Sequence, residues 1–81
     1  MNAELKDARV ESYAGYRGEE TPRAVVLEGE RFAVLSVISR KRVLDQAAGT
    51  RTEIWRCRLE DGREVTVERL ENGTWRVSAQ T

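Results

Sequence analysis

The chain has no histidine and a single cysteine, Cys57. One cysteine excludes an intrachain disulfide, and without histidine the usual zinc, copper and haem ligand sets cannot be assembled. No cofactor or metal is therefore expected. Proline is just as scarce: Pro22 is the only one, so little but glycine punctuates the chain. Long apolar runs are missing too. The longest, residues 32–38, is strand-sized and far below the roughly 18 residues that span a bilayer, so no membrane association is expected. The first nine residues contain Glu4 and Asp7 and no apolar stretch, unlike a signal peptide. The expectation is a bacterial-type cytoplasmic protein. Glycine-rich phosphate loops and nucleophile–base spacings are also lacking, so an enzyme is not expected.

What is present fits one small domain. Eighty-one residues suit a single core that buries only about 60–65% of the unfolded surface. Charged residues make up 35% of the chain but balance to zero, and the 40% apolar residues cluster in runs, which favours folding over disorder. Cationic residues are 12 arginines and two lysines. Arginine suits ion-pair lattices, carboxylate recognition and nucleic-acid recognition alike.

The periodicity is that of strands. Residues 1–9 are polar without a period and are expected to form a disordered tail ahead of a single domain over residues 10–81. Residues 10–13 alternate as a strand, and residues 14–22 are turn-rich. Residues 23–27 form a second strand, Glu28-Gly29 a tight turn, and residues 30–39 the longest strand. Phe32, Val34 and Ile38 fall on one face of it, with Ala33, Leu35 and Val37 on the other. That pattern suits a central strand or one that bends. Residues 43–49 could form one helical turn ended by Gly49. A strand continued to about Leu44 and followed by a loop is the favoured alternative.

The last third sets its own register. Residues 53–59, 63–70 and 74–79 read as strands joined at Glu60-Asp61-Gly62 and Glu71-Asn72-Gly73. Two-residue turns would pair Trp55 with Glu68, mixing core with surface. Three-residue loops with a left-handed glycine pair Cys57 with Val65, Trp55 with Val67, Arg58 with Glu64, Val67 with Val77 and Glu68 with Arg76. A one-residue slip would invert every side chain, so the three-residue loops are preferred. Trp55, Val67 and Val77 then make a core-facing stripe, and Arg56, Thr66 and Ser78 a polar outer face. The fold class expected is all-β: a five- to six-stranded antiparallel meander closing partly into a small barrel or roll.

The segment Tyr13-Ala14-Gly15-Tyr16-Arg17-Gly18-Glu19-Glu20-Thr21-Pro22, followed by the Gly29 turn, Arg31-Phe32 and a late Trp75-Arg76, resembles a family of short bacterial β domains. The resemblance covers roughly residues 10–78. It implies the fold more than a chemistry, together with an association of some members with translesion-type DNA polymerases. The chain departs from the family pattern at residues 39–46, where an aromatic residue is usual.

Candidate sites follow from loops and charge. The loop bearing Tyr16 and Arg17 is a place for a ligand; its bland reading is a structural turn in which Arg17 and Arg23 pair with Glu19 or Glu20. The Gly15-Tyr16-Arg17-Gly18 run matches a Gly-x-x-Gly clamp of RNA-binding modules but lacks the flanking helices. Cys57, on the core face with no basic neighbour there, reads as an inert buried thiol. Formal charge is −3 over residues 1–30, +5 over residues 31–58 and −2 over residues 59–81. The basic block offers Arg40, Lys41, Arg42 and Arg56 as a binding surface, with Arg58 neutralised by Glu64 and Arg56 left facing Thr66. The leading expectation is a non-enzymatic interaction domain for a protein partner. The alternative is a nucleic-acid-binding small barrel in a DNA-repair setting.

Overall fold

The computed structural model describes residues 2–5, 7–14 and 20–80. It is all-β, with no helix among the described residues. The strands are β1 (Asn2–Glu4), β2 (Arg9–Ala14), β3 (Glu20–Leu27), β4 (Glu30–Asp45), β5 (Thr50–Leu59), β6 (Glu64–Arg69) and β7 (Trp75–Gln80). Their order in the sheet is β1-β7-β6-β5-β4-β3-β2. Strands β2 to β7 are thus a six-stranded antiparallel meander, curled into a half-barrel as the alternation implies.

Beside it lies an element the sequence reading missed. Part of the tail expected to be disordered is strand β1, which pairs Asn2 with Gln80, Ala3 with Ala79 and Glu4 with Ser78. An outer edge on β7 would otherwise present unpaired backbone groups to water. The Leu5 amide extends the contact by donating to the Val77 carbonyl at 2.8 Å, Glu4 meets Arg76 at 3.2 Å, and Leu5 packs on the core. The polar pattern of the tail hides this, because edge pairing uses backbone rather than side chains.

The register of the last three strands is the one that puts the apolar residues together. Cys57 faces Val65, Trp55 faces Val67 and Arg58 faces Glu64; Val67 faces Val77 and Glu68 faces Arg76. Both loops span three residues, closed by Leu59 N–H to Arg63 C=O and Leu70 N–H to Thr74 C=O, each 2.8 Å. Gly62 and Gly73 take φ of 93° and 86°, the left-handed region that a β-carbon disfavours. Asp61 Oδ1 and Asn72 Oδ1 accept the amides of Arg63 and Thr74 two residues on, at 3.1 and 2.9 Å. These bonds explain why Asp and Asn precede the glycines.

The concave face holds the core: Val25, Leu27, Trp55, Cys57, Leu59, Val65, Val67 and Val77, all buried. Trp75 packs on it, its ring centroid 5.5 Å from that of Trp55. On the convex face Arg56 and Thr66 are partly exposed, as expected of a polar surface. Ser78 is instead buried there, opposite both Glu4 and Thr66.

Strand β4 decides the shape of the molecule. The β3–β4 hairpin turns at Glu28-Gly29, both with positive φ, the mirror-image turn whose twist matches that of the strands. β3 then pairs with β4 only from Leu27 opposite Glu30 to Ala24 opposite Ala33. Pro22, which has no N–H to give a ladder, lies just beyond that last pair and next to the register shift between Glu11 and Ser12. β4 meanwhile runs on against β5 to Asp45 opposite Thr50, with register shifts across Val34/Ser36 and Val37/Ser39. The shifts absorb Leu35 and Ile38 as extra residues and bend the strand. No helical turn forms at residues 43–49. The strand continues to Asp45, whose Oδ1 accepts the Ala47 and Ala48 amides at 3.1 Å each, and Gly49 turns the chain back at φ 67°.

Candidate functional site

The residues singled out from charge separate in the structure. Tyr16 and Arg17 lie outside the described residues. Arg40 stands opposite Trp55 and Arg42 opposite Glu53, so both project on the concave side, whereas Lys41 opposite Ile54 and Arg56 opposite Thr66 project on the convex side. Four cations of one basic block are thus split between two faces of one sheet.

Most of them are also compensated. Arg40 bonds Glu53 at 3.0 Å, with Arg42 3.9 Å from the other oxygen of the same carboxylate. The Arg40 guanidinium also lies 5.8 Å from the Trp55 ring centroid, a cation–π arrangement that covers the indole. Arg58 is paired with Glu64 as the register implies, at 3.2 Å. Arg56 is not left unpaired: its Nε and Nη2 both reach Glu64 Oε1 at 3.1 Å. The reading that Arg56 faces only Thr66 is corrected here, because an arginine stem reaches a diagonal neighbour on the next strand. The hydrogen bond from Arg58, with the Arg56 charge beside it, holds the Glu64 carboxyl below the usual carboxylate range. Lys41 is exposed and has no ion-pair partner among the described residues.

Cys57 is buried, and burial pushes its thiol up from 9.0 to about 11. An unfolded thiol ionises first, so the native state keeps its proton through the interval between those values. The stability that Cys57 contributes through this difference is therefore complete below about pH 9 and declines as the pH rises toward 11. Cys57→Ala should flatten that alkaline decline. Maleimide labelling of the native protein at pH 8 should proceed only as fast as the sheet opens; labelling at the rate of the denatured chain would show that the thiol is accessible.

A different feature emerges along β4. Past Ala33, no strand pairs with its β3-facing side among the described residues. Residues 34–45 therefore have a partner on one edge only. Leu35, Val37, Ile38, Val43 and Leu44 are all exposed there, Leu35 and Leu44 by about two thirds, at 66% and 65%. Where β3 diverges, a cleft of about 460 Å³ opens between the β2–β3 hairpin and β4, lined by Tyr13, Pro22, Arg23, Val34, Leu35 and Val37. Tyr13 is 59% exposed and lies under the Arg23 guanidinium at 5.9 Å.

Charge reasoning did not find this site, since its apolar residues look like core. The signal was the apolar character of both faces over residues 32–38, which suits a doubly covered strand and an uncovered bending strand equally. Among the described residues, no cluster of His, Cys, Asp and Glu could hold a metal ion, and no helix is long and apolar enough to cross a membrane. No family model, curated protein or solved structure matches the chain.

Proposed function

We propose that this is a non-enzymatic interaction domain that binds a protein partner. The observation that carries the reading is the exposed apolar stretch of β4, where five large aliphatic side chains stand open to solvent on a chain with a small core. Leu35 and Val37 join the cleft at Tyr13 and Pro22, and an exposed apolar patch rimmed by charge is a usual mark of a protein-binding surface. The alternative, a nucleic-acid-binding barrel, draws on the +5 central block and on the resemblance to polymerase-associated domains. The pairing of Arg40 and Arg42 with Glu53, and of Arg56 and Arg58 with Glu64, weighs against it. Polyanion affinity scales with uncompensated cations on one surface.

Titration with single-stranded oligonucleotides at about 50 mM salt, where phosphate contacts are strongest, separates the two. The expected result is no saturable binding, and purified protein whose 260/280 nm absorbance ratio is that of protein alone. Saturable binding that the R40Q/R42Q/R56Q variant weakens, with a salt slope reduced by roughly two to three phosphate equivalents, would establish the nucleic-acid reading instead.

A further inference from the structure

We propose that the open edge of β4 takes up an extended acidic peptide as an added strand, with an apolar side chain of that peptide in the Tyr13–Pro22–Leu35 cleft. The inference rests on the protein-binding reading and names the class of partner. An edge strand with one unpaired side offers alternate N–H and C=O groups to an incoming backbone. Residues 34–45 are such an edge, and the cleft opens beside the end of it where β3 departs. A strand laid along the edge sends its side chains alternately to the two faces. Beside Val34 and Leu35 it meets the apolar cleft walls. Further along it passes between Arg40 and Arg42 on one face and Lys41 on the other.

Charge selects the occupant. Residues 35–54, the arm formed by β4 and the start of β5, carry Arg40, Lys41, Arg42 and Arg51 against Asp45 and Glu53, a formal +2. A second copy of this chain pairing β4 to β4 would bring the Arg40-Lys41-Arg42 run close to itself, and like charges across a ladder are destabilising. The register shifts at residues 34–39 also bend the edge away from the regular twist that another preformed sheet would present. A peptide without fixed twist can follow the bend, and acidic side chains on it would complement both faces.

The experiment uses the intact protein and a 12-residue random peptide display library. Enriched peptides should be acidic and free of proline within their binding core. A synthetic copy of the strongest should slow amide hydrogen exchange at residues 34–45. N-methylation of alternate peptide amides should abolish binding, since it removes ladder hydrogen bonds. Lys41→Glu, at an exposed position, should weaken the acidic peptide by about tenfold, as expected for replacing an attractive charge by a repulsive one. Recovery of no peptide, binding indifferent to N-methylation, or protection mapping elsewhere would overturn the strand-addition proposal. Concentration-dependent dimerisation that protects the same amides would replace the peptide with a second copy. Peptides that bind another face would leave the protein-binding reading standing, while oligonucleotide binding alone would remove both.

Discussion

Replacing Trp55 with alanine should destabilise the protein by about 4 kcal/mol, as expected for removing a fully buried indole. The side chain is 1% exposed. It lies against Trp75 with the rings tilted by 35°, faces Val67 across the β5–β6 ladder, and is covered by Arg40. An 81-residue domain has only about 4–12 kcal/mol in total, so the variant should lose between about a third and all of its stability. Urea unfolding followed by the fluorescence of Trp75 measures the loss. Trp55→Phe should be milder for two reasons. It keeps the aromatic packing, and it removes Nε1, which finds no hydrogen-bond partner among the described residues and is costly to bury that way. A Trp55→Ala loss under about 1 kcal/mol would mean the stripe through Trp55, Val67 and Val77 is not the packed core.

Two leucines on adjoining strands should respond to the same truncation in opposite ways. Leu59→Ala should cost about 3 kcal/mol, because Leu59 is fully buried opposite Val34 and alanine leaves a cavity. Leu44→Ala, on the exposed arm of β4, should change stability by no more than about 0.5 kcal/mol. Denaturant midpoints at unchanged slope give both numbers. A large loss at Leu44 would show that the arm is covered in solution, with the β4 edge then unable to accept a partner strand.

How much was legible depends on the range of the interactions. Gly62 and Gly73, each preceded by Asp or Asn, and the pairing of Arg58 with Glu64 and Glu68 with Arg76 are relations among residues near in sequence. Only one register satisfies them together, so the C-terminal meander could be written down strand by strand. The loops at residues 14–22 and 43–49 were less readable. Glu20 to Pro22 form strand despite the proline, because β4 has already diverged from β3 there. Arg56 was misjudged because cross-strand alternation fixes the side on which a stem leaves the backbone. It does not fix the carboxylate that a long guanidinium reaches.

The chain's own pattern settled the all-β class, the order of the meander and the core-facing stripe of its last three strands, since alternation and turn chemistry act within a few residues. Tertiary structure alone decided where β3 leaves β4, which makes a strand central in order an open edge for residues 34–45. It also decided that Asn2–Glu4 would close the far edge on β7, and that Arg40, Arg42 and Arg56 would be met by Glu53 and Glu64. The physical reason is common to all three. Edge pairing is a backbone interaction that no side-chain period records, and an ion pair depends on distance in space. A sequence of balanced charge specifies neither.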